Sequence, residues 1–335
     1  MIFDPFIIAI FAAGLYMAWN VGANDLANAM GTTVGIGTLS LKQAIVLGGV
    51  VSFSGAVLFG SRVTETVAKG IVPISLIDAH SVMLGALAAI LAAGVWVTFA
   101  TYLNLPVSTS HSIVGAMLGF GLVSVSQGTI NMGDIAWAVL LKIVASWVLS
   151  PVAGGVVAFL LFTMIRQLLE LMDDPLRADR PLRFLVVVAS CWVLFALGSN
   201  DVANAIGPLS AALGAVGTEL PMWVLVFGGV GIVLGMFTWG YRIIETIGKK
   251  ITELTPANAF AAQFGAAATV LVCSSFGMPV STTHTMVGSV VGVGLAGGLE
   301  AVDLSVIRKI VFSWVLTVPI VMFIAAVTYM GLMII

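Results

Sequence analysis

Apolar residues along this chain run in long uninterrupted blocks, not in the alternating pattern of a half-buried strand. Each block reaches about 20 residues or more, the length that an α-helix needs to cross ~30 Å of hydrocarbon. The pattern predicts ten apolar segments, at 5–31, 41–61, 80–104, 106–125, 134–163, 184–213, 221–241, 257–277, 279–298 and 306–333. We therefore predict an all-α polytopic membrane protein.

One strongly hydrophilic stretch, 166–183, separates the fifth segment from the sixth. It is short, carries charges of both signs, and contains Pro175 and Pro181, so it is typical of a linker. We predict a first transmembrane repeat at 1–165, a cytoplasmic linker at 166–183 and a second transmembrane repeat at 184–335.

The two halves resemble each other in sequence. The blocks at 24–29, 60–66 and 106–112 recur in the same order at 200–205, 240–246 and 279–285. Each half contains five segments, an odd number, so the second half must enter the membrane from the opposite side. If the third and fourth segments form a re-entrant or broken hairpin, three spanning segments remain, which is still odd. The sequence thus predicts an inverted-topology repeat, as in many secondary transporters.

Composition supports a membrane location. Of 335 residues, 60% are hydrophobic and 8% are charged, whereas soluble domains carry about 25% charged residues. A net charge of −2 without a basic patch gives no sign of nucleic-acid binding, and Cys191 and Cys273 lie in apolar stretches that do not indicate a disulfide framework. Four arginines in the linker place it in the cytoplasm by the positive-inside rule, although Arg62 and Lys69 then fall outside. We expect a multi-pass protein of the cell membrane.

Two carboxylates, Asp25 and Asp201, lie inside apolar segments, where each costs about 2.5–3.5 kcal/mol on insertion scales. Neighbouring asparagines add neutral oxygens, and nearby glycines, with Pro208 in the second half, predict unwound backbone whose carbonyls face inward. Oxygen ligands suit a hard cation such as sodium. The same carboxylates could carry protons, or each Asp could pair with an intramembrane arginine as a structural lock. The candidate cation-binding residues are Asn24, Asp25, Asn28, Asn200, Asp201 and Asn204.

The repeated Pro-Val-Ser-Thr-x-His blocks supply donors for an anion. Pro106 and Pro279 predict breaks near Leu105 and Met278, and the next helices would begin after Ser108 and Ser281 as N-caps. Free N–H groups at helix N-termini suit a tetrahedral oxyanion. Alternatively, the hydroxyls bond only to backbone or pack between helices. The candidate anion-binding residues are Ser108, Thr109, Ser110, His111, Ser281, Thr282, Thr283 and His284.

Other repeated polar residues allow more than one role. His111 and His284 can bind substrate, orient hydroxyls, carry a proton or pack as neutral rings. Arg62 with Glu65, and Arg242 with Glu245, are spaced to form ion pairs on one helix face. The repeated Trp147 and Trp314 fit packing positions or membrane-interface anchors.

With these motifs the chain resembles the inorganic phosphate transporter (PiT) family. The resemblance rests on the duplicated Gly-x-Asn-Asp-x-Ala-Asn-Ala and Pro-Val-Ser-Thr-x-His blocks and covers nearly the whole chain. It implies phosphate symport with sodium or protons, no other cofactor, an inverted-repeat fold and homodimers. By position, it assigns the Asn-Asp-x-x-Asn blocks to cation and substrate binding and the Ser/Thr blocks to hairpin tips that bind phosphate. Many members have a large hydrophilic insert between the halves, which is short here.

Three other functions are open to this sequence. The first is transport of sulfate or another tetrahedral oxyanion, since the Ser-Thr-His blocks do not distinguish it from phosphate. The second is an intramembrane hydrolase using a serine with His111 or His284, although Ser108 and His111 share one helix and both halves duplicate the set. The third is a passive channel. We expect a secondary active transporter and not an enzyme.

Overall fold

The structure is a computed structural model that describes residues 5–69, 71–214, 221–244, 255–298 and 303–334. Within these residues the chain forms eleven α-helices, three short 3-10 helices and no strand. In chain order the helices are α1 (Pro5–Gly35), α2 (Leu41–Phe59), α3 (Ser61–Lys69), α4 (Ala79–Tyr102), α5 (Thr109–Ser126), α6 (Trp137–Glu170), α7 (Asp179–Ala212), α8 (Met222–Trp239), α9 (Pro256–Ser275), α10 (Thr282–Gly297) and α11 (Leu304–Leu332).

Each of the ten predicted apolar segments corresponds to one of these helices, so the prediction of an all-α polytopic protein is confirmed. Nine helices in the described ranges are long and apolar enough to cross a membrane; α10, at 16 residues, is shorter. The short α3 was not predicted, because its nine residues include Arg62 and Glu65 and do not form an apolar block.

Two broken-helix hairpins, α4–α5 and α9–α10, form as the prolines predict. Ser108 caps α5 by accepting a hydrogen bond from the His111 N–H at 3.1 Å, and Ser281 caps α10 in the same way with His284. The turn after α4 and the turn after α9 each contain one residue whose backbone lies in the left-handed region. That residue is Asn104 in the first hairpin and Gly277 in the second, at φ values of 56° and 69°.

The predicted unwound backbone beside Asp25 and Asp201 is wrong. α1 is helical without interruption from Pro5 to Gly35, and α7 continues through Pro208 to Ala212. A physical reason is that an unwound turn inside the hydrocarbon region must find new partners for its backbone groups. The glycines instead serve close packing: an added methyl group at Gly22 would overlap the backbone of Ile232 in α8.

Several helices of the first half pack mainly against helices of the second half. α1 packs against α8 while α7 packs against α2, and α5 packs against α11 while α10 packs against α6. α1 and α7 also contact each other directly. The inverted repeat is therefore an interleaved bundle, and the hairpins of both halves lie beside the α1–α7 pair.

Candidate cation and anion site

The carboxylates of Asp25 and Asp201 are fully buried where the two hairpin tips meet. Thr109, at the start of α5, donates its hydroxyl to Asp25 Oδ2 at 3.0 Å, and Thr282, at the start of α10, donates to Asp201 Oδ2 at 2.9 Å. The Thr283 hydroxyl lies 3.3 Å from Asp25 Oδ1 and 3.1 Å from the Val107 carbonyl oxygen, and it can donate its one proton to either. The structure thus brings together the two sets of residues that the sequence assigned to cation and anion.

The asparagines connect each half to the hairpin of the other. Asn28 Nδ2 donates to Asp25 Oδ1 and to Thr283 Oγ1 of the second half, both at 2.9 Å. Asn204 Nδ2 lies 3.4 Å from Asp201 Oδ1 and donates to Thr109 Oγ1 of the first half at 3.1 Å. The two motifs therefore build one shared site.

Two further residues of the site were missed by the sequence analysis. Asn24 Nδ2 donates to Thr101 Oγ1 at 2.8 Å, and Asn200 Nδ2 donates to Ser274 Oγ at 3.0 Å. Thr101 and Ser274 occupy equivalent places near the ends of α4 and α9. Their recurrence just before the Pro-Val-Ser blocks was the signal that would have found them.

Because all four asparagines use their amide nitrogens as donors, their oxygens remain free. Each of these oxygens is buried and has no hydrogen-bond partner, at Asn24, Asn28, Asn200 and Asn204. A buried unsatisfied polar group costs about 1–3 kcal/mol, so four of them around two carboxylates call for a ligand. Uncharged and anionic oxygens together suit a hard cation such as sodium. The described residues contain no cluster of three or more His, Cys, Asp or Glu that would hold a metal ion.

The predicted anion donors are only partly available in this conformation. Ser110 donates its hydroxyl to the Val280 carbonyl oxygen of the opposite hairpin at 3.1 Å, and Thr283 approaches the Val107 carbonyl oxygen at 3.1 Å. The first backbone N–H groups of α5 and α10 have no acceptor within their own helices. His111 and His284 already donate their N–H groups to the capping serines, so the earlier N–H groups of each helix are left for an oxyanion.

The two histidines form one stack with the two repeated tryptophans. Ring centroids are 3.6 Å apart between Trp147 and His111, 4.3 Å between His111 and His284, and 3.5 Å between His284 and Trp314. Trp314 Nε1 also donates to the Pro106 carbonyl oxygen at 3.3 Å. Both tryptophans therefore pack where the hairpins meet, and each histidine ring lies between the other histidine and one tryptophan.

Arg62 does not form the ion pair that its spacing from Glu65 allows. Ion pairs in the described ranges join Arg166–Glu170, Arg177–Asp174 and Arg183–Asp179, so Arg62 pairs neither with Glu65 nor with either site aspartate. A structural lock between a site aspartate and an arginine is thus absent from the described chain. The predicted partner of Arg242, Glu245, lies outside the described residues.

Each arginine instead contacts the hairpin turn of the opposite half. Arg62 Nη1 donates to the Ser275 carbonyl oxygen at 2.8 Å, at the C-terminal end of α9. The Arg242 guanidinium lies 5.5 Å from the ring centroid of Tyr102, at the end of α4. A cavity of about 430 Å³ adjoins Arg242 and Asn104 at this first turn.

Known proteins similar to this chain are described as phosphate transporters. The model of the phosphate transporter family matches residues 21–325. A protein described as a phosphate permease from Pyrococcus horikoshii is 38% identical over an alignment that covers 99% of both chains. The chloroplastic inorganic phosphate transporter 2-1 of Arabidopsis thaliana is 38% identical over 92% of this chain and 69% of its own length.

A solved structure described as the sodium-dependent phosphate transporter superposes with a TM-score of 0.89 at 36% identity, covering 99% of this chain and 100% of that chain. These relatives are transporters and not enzymes, so the hydrolase alternative is excluded. The chain belongs to the phosphate transporter family.

Proposed function

We propose that this chain imports inorganic phosphate by symport with a cation, and that the cation is sodium. The observation that carries the proposal is the shared site, where two buried carboxylates and four unpartnered amide oxygens lie beside two helix N-termini. The sodium-dependent phosphate transporter that this structure resembles supports the choice of sodium. We also propose a location in the cell membrane and a homodimeric assembly.

In this mechanism the cation-binding residues are Asn24, Asp25, Asn28, Asn200, Asp201 and Asn204. Thr109 and Thr282 already donate their protons to carboxylates, so their oxygens can add to the cation shell. The backbone N–H groups at the starts of α5 and α10 bind phosphate. Ser108 and Ser281 keep these helix starts in place as caps, and Ser110, His111 and His284 hold the two tips together.

Charge provides the coupling. Two like charges 4 Å apart repel by about 4 kcal/mol at an effective dielectric constant of 20, so ionised aspartates alone disfavour a phosphate beside them. Sodium ions on Asp25 and Asp201 remove that repulsion. Phosphate therefore binds well only to the cation-loaded carrier, which links the two fluxes.

The contacts of the hairpin turns suggest how access alternates. At the second turn, Arg62 bonds to Ser275, and Gly277 approaches the Arg62 backbone. At the first turn, the cavity beside Arg242 leaves more space. We propose that each hairpin opens in turn against the arginine of the opposite half.

Uptake of labelled phosphate into proteoliposomes tests the substrate and the driving ion together. We expect accumulation driven by an inward sodium gradient and unchanged by excess unlabelled sulfate. Uptake that follows only a proton gradient would assign the aspartates to protons. Loss of uptake to sulfate competition would favour the second candidate substrate, and equilibration without accumulation would indicate a channel.

Replacing Thr282 by valine should weaken sodium binding while leaving the fold intact. The change removes the hydroxyl that bonds to Asp201 at 2.9 Å, and hydrogen bonds to charged groups are worth about 1.5–3 kcal/mol. We expect the half-saturating sodium concentration for uptake to rise about tenfold. Thr269→Val is the matched control, because the Thr269 hydroxyl bonds only to the Gly265 carbonyl oxygen of its own helix. Equal sodium dependence in both variants would contradict the assignment.

A further inference from the structure

An apolar groove of about 440 Å³ lies on the outside of the bundle between α6, α10 and α11. Pro151 and Trp314 form its inner end, which is the end nearer the hairpin tips. Leu160, Leu295 and Ile307 form its outer end, which is the end nearer the linker. The walls are open to the surroundings: more than half of the Leu160 side chain is exposed. In a membrane this groove faces the lipid tails.

The groove exists because glycines bring α6 and α10 into backbone contact. A methyl group on Gly155 would lie 2.9 Å from the Gly288 carbonyl oxygen, and one on Gly292 would overlap the Gly155 carbonyl oxygen. In the equivalent seam between α5 and α11, a methyl group on Gly119 would overlap the Met322 carbonyl oxygen, so these two helices are also in backbone contact.

Basic side chains lie at the outer end of the groove, on the side of the bundle where the linker joins α6 to α7. Arg166 Nη1 donates to the Ala296 carbonyl oxygen at 3.2 Å, one residue beyond Leu295. Arg308 follows the groove residue Ile307 and is exposed. Arg166 therefore lies at the end of this apolar groove, and Arg308 lies on the adjoining turn of α11. An apolar groove beside basic side chains matches the shape and charge of a phospholipid.

Two described acidic residues, Glu170 and Asp303, lie near these basic side chains. Glu170 lies 3.5 Å from Arg166, in an exposed pair that leaves other guanidinium donors free. Asp303 caps α11 by accepting from the Ser305 N–H at 2.9 Å, and its carboxylate interacts electrostatically with Lys309. Arg308 and Lys309 take part in none of the ion pairs found within the described ranges.

We propose that an anionic phospholipid binds here, with one acyl chain in the groove and its phosphate on Arg166 and Arg308. Basic pockets between membrane helices on the cytoplasmic side are typical sites for such headgroups. The chain end would contact Trp314, which stacks on His284 and bonds to Pro106. The lipid therefore supports the side chain that touches both hairpins. This inference does not depend on which ion drives transport.

Native mass spectrometry of protein purified from membranes tests the site without measuring transport. The protein is first exchanged into vesicles of phosphatidylcholine with or without phosphatidylglycerol. We expect wild type to retain one phosphatidylglycerol and to exclude phosphatidylcholine. Val156→Trp should lose it, because Val156 lines the groove with 52% of its surface exposed. Arg166→Gln should lose it because the headgroup contact is removed.

Two matched variants serve as controls. Val148→Trp places the same side chain at an exposed position of α6 outside the groove, and Arg177→Gln removes an exposed arginine of the linker. Both should retain the lipid. Equal retention in all four variants, or equal retention of phosphatidylcholine, would overturn the proposal. A shift from dimer to monomer in Val156→Trp with lipid retention unchanged would also overturn it, and would identify the groove as an interface between copies.

Discussion

Replacing Asp25 by asparagine is expected to lower sodium-driven phosphate uptake by about 10- to 100-fold at limiting sodium. The substitution keeps the shape but removes a buried negative charge, and charge-assisted contacts of this kind are worth about 1.5–3 kcal/mol. Asp201→Asn should have a similar effect, because both carboxylates accept from hairpin threonines. Initial uptake rates in proteoliposomes, over a range of sodium concentrations, provide the measurement.

The sodium dependence of these variants also separates the two possible driving ions. If Asp25 is a sodium ligand, high sodium should restore part of the uptake, since the amide oxygen of asparagine can still coordinate. If Asp25 carries a proton, no sodium concentration will restore it. Asp173→Asn, in the exposed linker, should transport like wild type. Normal uptake by well-folded Asp25→Asn protein would remove this residue from the mechanism.

Replacing Gly198 by alanine is expected to cause a large loss of stability. The added methyl group would overlap the carbonyl oxygen of Ser52, and a backbone group cannot rotate away as a side chain can. Overpacking of this kind costs about 1–3 kcal/mol and sometimes more, and here it would push α7 away from α2. Thermal unfolding in detergent, followed by size-exclusion chromatography, measures the effect.

Gly331→Ala is the control for this experiment. Gly331 lies near the end of α11 with no atom within 4 Å of an added methyl group, so the change should leave the unfolding midpoint almost unaltered. Gly22→Ala should behave like Gly198→Ala, since it would overlap the backbone of Ile232 in the equivalent seam. Equal midpoints for Gly198→Ala and Gly331→Ala would show that the α2–α7 seam adjusts easily.

The sequence predicted the parts of this structure that depend on local signals. Ten apolar segments, the breaks at Pro106 and Pro279 and the serine caps are all set by residues close together in the chain. The duplication of Asp25 as Asp201 also marked both carboxylates as candidate site residues. Roles of the individual site residues remain predictions that the variants above test.

Other features depend on contacts between distant parts of the chain and have no local signal. Asn28 reaches Thr283 across 255 positions, and nothing near Asn28 indicates that its partner belongs to the other half. The expectation of unwound helices failed for a related reason. The local glycines and Pro208 favour breaks, but packing of α1 against α8 and of α7 against α2 holds both helices intact.

The packing of first-half helices against second-half helices affects how this protein is made. During synthesis α5 enters the membrane before α11, yet α11 covers Gly115 and Gly119 of α5. Until α11 has been made, this glycine face has to be shielded by lipid or by the insertion machinery. The same delay applies to α6, which waits for α10. Ribosomes that stall just before Leu304 would therefore release chains in which α5 still lacks its partner helix, and such chains are natural targets for membrane quality control.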